Sequence, residues 1–171
     1  MRVRILIALA GATVLLAGCF TSTVPLITPE NADYPFTTLV LRSDEGLPAT
    51  IVRDGDAYAY ADTGGGDEIR FLLDDYGDGL FLLQMISEGD DGTPQQLYGV
   101  VLINEDEGVV ALYRTVVNDT DFAAGIPHCV ENGEELFLAC LTDGQQLIDI
   151  VVNAIAAGEA PEGAFTIVST E

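Results

Sequence analysis

Glu68-Ile69-Arg70-Phe71-Leu72-Leu73, then Asp74-Asp75-Tyr76-Gly77-Asp78-Gly79, then Leu80-Phe81-Leu82-Leu83-Gln84-Met85-Ile86-Ser87 is the stretch that decides the fold. Two apolar runs of strand length flank a break made of acids and glycines. Asp and Gly favour turns for conformational reasons, and the flanking runs carry the large side chains that suit a pleated surface. The stretch therefore reads as a β-hairpin. The design recurs on both sides of it. Ala49–Arg53 and Ala57–Asp62 are separated by Asp54-Gly55, which suits a type I′ turn, and Gln96–Asn104 and Val109–Val117 are joined by Asn104–Gly108. Hairpins 49–62, 68–87 and 96–117 thus follow one another as an antiparallel meander. Further runs at Phe36–Arg42, Ile126–Val130, Glu135–Leu141 and Phe165–Ser169 extend the strand pattern.

One segment departs from it. In Asp143–Gly158, Leu147, Ile148, Val151, Val152 and Ile155 fall at helical spacing. Asp143 and Gln146 have the spacing of a capping box, and Gly158 and Pro161 end the element. The expected fold is mostly β: an antiparallel meander forming a barrel or sandwich, residues 34–171, with one C-terminal helix packed on it. Its apolar face would cover the sheet or plug one end of a barrel.

The N-terminus is of another kind. Arg2 and Arg4 precede an apolar run from Ile5 to Ala17, and Leu16-Ala17-Gly18-Cys19 closes it. A basic start, an apolar middle and small residues at a processing site form a secretory leader, and the run is too short to span a bilayer. The segment resembles the bacterial lipoprotein signal peptide with its lipobox. The resemblance implies cleavage after Gly18, acylation of Cys19 with chains such as palmitate, and a membrane as partner through that anchor. Phe20, standing where Asp would favour inner-membrane retention in that family, points by the same resemblance to the outer membrane, facing the periplasm. The expected organisation is a signal peptide at 1–18, a lipidated cysteine and linker at 19–33, and a single β-rich domain at 34–171. Residues 20–33, with Pro25 and Pro29 and no sustained pattern, read as a spacer.

Charge excludes several functions. The chain has 6 basic and 28 acidic side chains, and its formal net charge is −22. There is no lysine, which rules out a lysine Schiff base, a P-loop lysine and a Ser-x-x-Lys nucleophile. A field of this sign repels nucleic acid and anionic headgroups. The acids are spread over many turns and read as a solvated surface.

With Cys19 assigned to lipid, Cys129 and Cys140 remain as an even pair in an exported domain, and a disulfide between them is expected. A tight Asn132-Gly133 turn would set Cys129 opposite Leu136, so the bond calls for a wider loop centred near Glu134-Glu135. Two free thiols are the alternative. A metal site with His128 is a third reading, but the spacing matches no common zinc motif and no second histidine exists. Asp62-Thr63-Gly64 matches the core triplet of aspartic proteases, yet a Gly-rich turn explains the same letters. Asp74–Gly79 begins like an EF-hand loop, but Tyr76 and Met85 stand where ligands are needed. Tyr58 and Tyr60 share one face of a strand, as core or cross-strand neighbours. No catalytic set can be assembled, and no metal or cofactor is expected. The expected function is a non-enzymatic binding or structural role in the cell envelope, with another envelope protein as possible partner. The alternative is a carrier of a small apolar ligand in a barrel of lipocalin-like architecture.

Overall fold

The computed structural model describes residues 20–43, 46, 48–60, 69–88, 94–113, 125–131 and 134–171. The strands are β1 (Phe20–Thr21), β2 (Thr38–Ser43), β3 (Pro48–Asp54), β4 (Ala57–Tyr60), β5 (Ile69–Asp75), β6 (Leu80–Glu88), β7 (Pro94–Asn104), β8 (Val109–Tyr113), β9 (His128–Glu131), β10 (Glu134–Cys140) and β11 (Gly163–Thr170), with helix α1 at Gln145–Ala156. Strands β2 to β8 form the expected meander. The C-terminal strand β11 then inserts antiparallel between β2 and β8 and closes an eight-stranded antiparallel barrel.

The turns follow their chemistry, with one shift. Asp54 pairs with Ala57, so the two-residue turn is Gly55-Asp56 rather than Asp54-Gly55. Only Gly55 has a positive φ (62°), which is the type II′ arrangement with glycine first, not type I′. In the turn between β5 and β6, the Asp75 carboxylate accepts the Gly77 N–H at 2.7 Å, and Tyr76 N–H donates to the Leu80 carbonyl at 2.9 Å. These carboxylate and glycine residues do ordinary turn work.

The deciding stretch is apolar throughout because β5 and β6 are buried on both faces. Phe71, Leu73 and Phe81 point into the barrel, while Leu72, Leu80 and Leu82 point outward into a second core. That outer core is completed by Leu147, Ile148 and Val151 of α1 and by Phe20 and Ile27 of the N-terminal segment. The helix covers the outer wall and does not plug an end. Its first turn is held reciprocally, one residue out of the expected phase: Asp143 Oδ1 accepts the Gln146 N–H at 3.2 Å, and Gln146 Oε1 accepts the Thr142 N–H at 2.9 Å. Gly158 (φ 80°) ends it as expected, with Glu159 N–H donating to the Ala154 carbonyl at 2.9 Å.

The stretch 20–33, expected to be a spacer, packs on the domain instead. Phe20 and Thr21 pair antiparallel with Tyr98 and Leu97 of β7, and parallel with Ala139 and Cys140 of β10. Strand order runs β7-β1-β10-β9, so β1 joins the β9–β10 ribbon to the barrel. Phe20 and Ile27 are essentially inaccessible to solvent. Two short apolar anchors without periodicity leave no pattern in the sequence, which is why the segment looks like free chain.

Candidate functional site

The barrel interior holds the candidate site. Inward residues of the barrel strands enclose a cavity of about 240 Å³, reaching from Phe36 at one end to Tyr60, Ile69, Met85, Leu112 and Phe165 at the other. The inward position on each strand is set by period-2 alternation: Leu39 and Leu41 on β2, Phe71 and Leu73 on β5, and Leu83 and Met85 on β6. Among the described residues, the lining carries no carboxylate, imidazole, guanidinium or thiol. Of the described lining residues, only Tyr60, with its hydroxyl, and Met85, with its thioether, bear a side-chain heteroatom. Such a surface offers an apolar ligand dispersion contacts and release of water, and offers a charged group nothing.

One end is sealed by the chain entering β2. Phe36 is buried, and the Tyr58 hydroxyl donates to its carbonyl at 2.7 Å and accepts its N–H at 3.3 Å. The Phe36 and Tyr58 ring centroids are 4.4 Å apart, and Phe71 follows at 5.4 Å from Tyr58. Tyr34 lies on the outer side of this cluster with the Arg53 guanidinium 3.7 Å above its ring. Burial raises the Tyr58 pKa, partly offset by its bond to the Phe36 backbone, so the hydroxyl stays a neutral donor. Beyond this floor, Asp78, Asn104, Glu105 and Asp106 border a shallow polar groove. At the opposite end the lining is only partly buried, and Ile69 is 42% exposed. Among the described residues, the barrel therefore has a closed floor and, at the opposite end, apolar side chains at its rim.

Outside the wall, one polar side chain organises the N-terminal segment. Gln84 is 2% exposed. Its Oε1 accepts the Ile27 N–H at 2.8 Å and its Nε2 donates to the Ile27 carbonyl at 2.9 Å. Tyr98, directly across from Gln84 in the ladder, donates its hydroxyl to Gln84 Oε1 at 2.9 Å and accepts the Leu26 N–H at 2.9 Å. The Tyr98 pKa is raised by burial, partly offset by that backbone bond. Sequence reasoning missed this clamp and the Phe36 plug. A lone glutamine within the run Leu80–Ile86 was the available signal.

The residues singled out from sequence fall in separate places. Cys129 and Cys140 are joined by a disulfide with a Cα–Cα separation of 4.9 Å. No wide loop is needed for it. Glu135 pairs with Val130 and Ala139 with His128, so a register shift between these pairs moves the cysteines together. Cys140 also stands opposite Thr21, so the bond staples the ribbon next to β1. His128 lies on β9, away from the cavity lining. Tyr58 and Tyr60 both face the interior, as floor and rim. Among the described residues, no group of three or more His, Cys, Asp or Glu side chains could hold a metal ion. Cys19, the leader and Asp62-Thr63-Gly64 lie outside the described residues. Phe20 has a packing role of its own, which accounts for its identity independently of any sorting signal. No protein-family model, characterised protein or solved structure matches the chain.

Proposed function

We propose that this protein binds a small apolar ligand inside its barrel, and that Cys19 anchors it by lipid to the cell envelope, with the outer membrane as the site. The carrying observation is the cavity: about 240 Å³ lined by carbon. An apolar cavity of about 150 Å³ already holds benzene, so this one has room for a bicyclic ring or a folded alkyl segment. The barrel with one sealed end supports binding of the lipocalin-like kind, an argument from architecture. The described lining residues offer an apolar ligand contact and include no pair of groups that could transfer a proton or attack a carbonyl, which supports the binding reading.

An uncharged naphthylamine dye that brightens in apolar surroundings tests the cavity. Titration should give saturable binding of one dye per chain. Ala49→Leu, which adds bulk to the lining, should weaken it at least several-fold with the fold intact by circular dichroism. Dye binding indifferent to Ala49→Leu and to a second filling change, Leu83→Phe, would place the dye elsewhere and defeat the reading. The anchor is tested separately. Cys19→Ser should leave unprocessed or soluble chain, and normal processing and membrane pelleting of that variant would remove the anchor from the proposal.

A further inference from the structure

Strand β1 fixes where anything attached ahead of Phe20 leaves the domain. One edge of β7 is taken by β6 along Pro94–Leu102. The other edge is shared: Leu97 and Tyr98 pair with β1, and Val100–Asn104 pair with β8. Running backward from Thr21 to Phe20, the chain heads toward Gly99 and the Val100–Tyr113 pair, where β8 ends. Leu112, the neighbour of Tyr113, is one of the rim residues of the cavity. Thr21 stands opposite Leu97, and Leu97 opposite Met85, so two strand spacings of about 4.8 Å put β1 within roughly 10 Å of a rim residue. Phe20 is fully buried and paired on both sides, so no slack chain lies between that point and the barrel.

We infer that the cavity takes an acyl chain, supplied at the rim by the lipid phase into which Cys19 is anchored. The inference rests on the lipoprotein reading and on the binding reading above. A lipidated Cys19, bonded to Phe20, would hold the rim close to the bilayer surface, because β1 lies beside the rim. The cavity suits the hydrocarbon end of a lipid: its lining has almost no polar surface, its deep end is sealed by Phe36, and its rim is where a headgroup would remain in water. The chain could come from a free bilayer lipid or from the lipid on Cys19 itself. Both present the same hydrocarbon.

The protein has no tryptophan, so a single introduced one is a clean reporter. Ile69→Trp places it at the rim, and Val52→Trp places it on the outer wall as a control. The probe is a fatty acid brominated along its chain, a contact quencher, added in mild detergent to the full-length Cys19→Ser chain and to the lipidated protein. Saturable quenching of the rim tryptophan in the Cys19→Ser chain, with the control unaffected, is the expected result. Retention of that quenching in the lipidated protein identifies a free lipid as the occupant; its loss identifies the protein's own acyl chain. Absence of quenching in both forms, or equal quenching of the control, overturns the inference. The naphthylamine titration separates the two failures. If the dye binds and the fatty acid does not, the cavity stands and the acyl chain falls. In phosphatidylcholine vesicles, whose headgroups add no repulsion to a chain of net charge −22, brominated phospholipid should quench the rim tryptophan of the lipidated protein and spare the control. The reverse pattern would show that the rim faces away from the bilayer, and would also overturn the inference.

Discussion

Gln84 pairs with Ile27 as a neighbouring strand would: one side-chain amide accepts the Ile27 N–H and donates to the Ile27 carbonyl. The pairing holds the N-terminal segment to the outer wall where no ladder reaches it. Replacing Gln84 with Met keeps the volume and removes both bonds, stranding two backbone groups and the Tyr98 hydroxyl. A buried group left unsatisfied costs about 1–3 kcal/mol, so Gln84→Met should lose roughly 2–4 kcal/mol by denaturant unfolding. Hydrogen exchange should show the loss of protection concentrated at Leu26 and Ile27. A change below about 0.5 kcal/mol would mean that apolar packing of Phe20 and Ile27, not the Gln84 bonds, holds the segment.

Gly144 precedes α1 where it crosses the barrel wall, and a Cβ there would collide with the Tyr76 hydroxyl and the Leu82 side chain. Its backbone is ordinary for any residue, so the constraint is space. Gly144→Ala should destabilise by about 1–3 kcal/mol, the usual scale of overpacking. Tyr76→Phe removes one of the colliding atoms. The double variant should therefore recover at least about 0.5 kcal/mol relative to additivity. Simple additivity in thermal unfolding would contradict the close approach.

Burial raises the Asp74 carboxyl above its ordinary value of 3.8, and repulsion from Asp33 and Asp75 adds to it, while a hydrogen bond from Tyr76 works the other way. A carboxyl whose folded pKa exceeds its unfolded pKa is a liability when ionised. Its protonation favours the folded state as pH falls through the raised value, and the gain is complete below 3.8. Asp74→Asn should thus match or exceed the parent in melting temperature at pH 7. That advantage should shrink as the pH is lowered toward 4. An advantage that grows on acidification would reverse the sign argued here.

In the Asp74–Gly79 turn the Asp75 carboxylate is used on the turn's own backbone, at the Gly77 N–H. Screening of a net charge of −22 should still raise the melting temperature as salt is added, since about 0.1 M salt cuts the Debye length to roughly 10 Å. NaCl and CaCl₂ at equal ionic strength should do so to the same extent. A saturable extra shift with calcium, lost in Asp78→Asn, would make this turn a cation site.

Local features were legible in the sequence. The hairpins around Asp54-Gly55, Asp74–Gly79 and Asn104–Gly108, the helix ending at Gly158 and the Cys129–Cys140 bond each depend on neighbours in the chain or on a pair of like residues. Closure was not legible, because nothing in the run around Phe165–Ser169 says that β11, Gly163–Thr170, pairs with both Val109–Leu112 and Leu39–Ser43. The cavity was foreseen only as one of two outcomes, since inward residues such as Leu41 and Leu83 look the same whether they meet across a filled core or leave a gap. The spacer reading of 20–33 failed because Phe20 and Ile27 are isolated anchors whose partners, Tyr98, Ala139 and Gln84, are remote in sequence.

The place of β1 between β7 and β10 also orders events during synthesis. Phe20 and Thr21 precede every other strand off the ribosome, yet they are paired on both sides only once Cys140 has been made. Until then the edge of β1 that pairs with β10 is open, and an unpaired edge invites pairing with other chains. The earliest strand to be synthesised is thus among the last to be completed. A chain interrupted before β10 would carry an open, aggregation-prone edge.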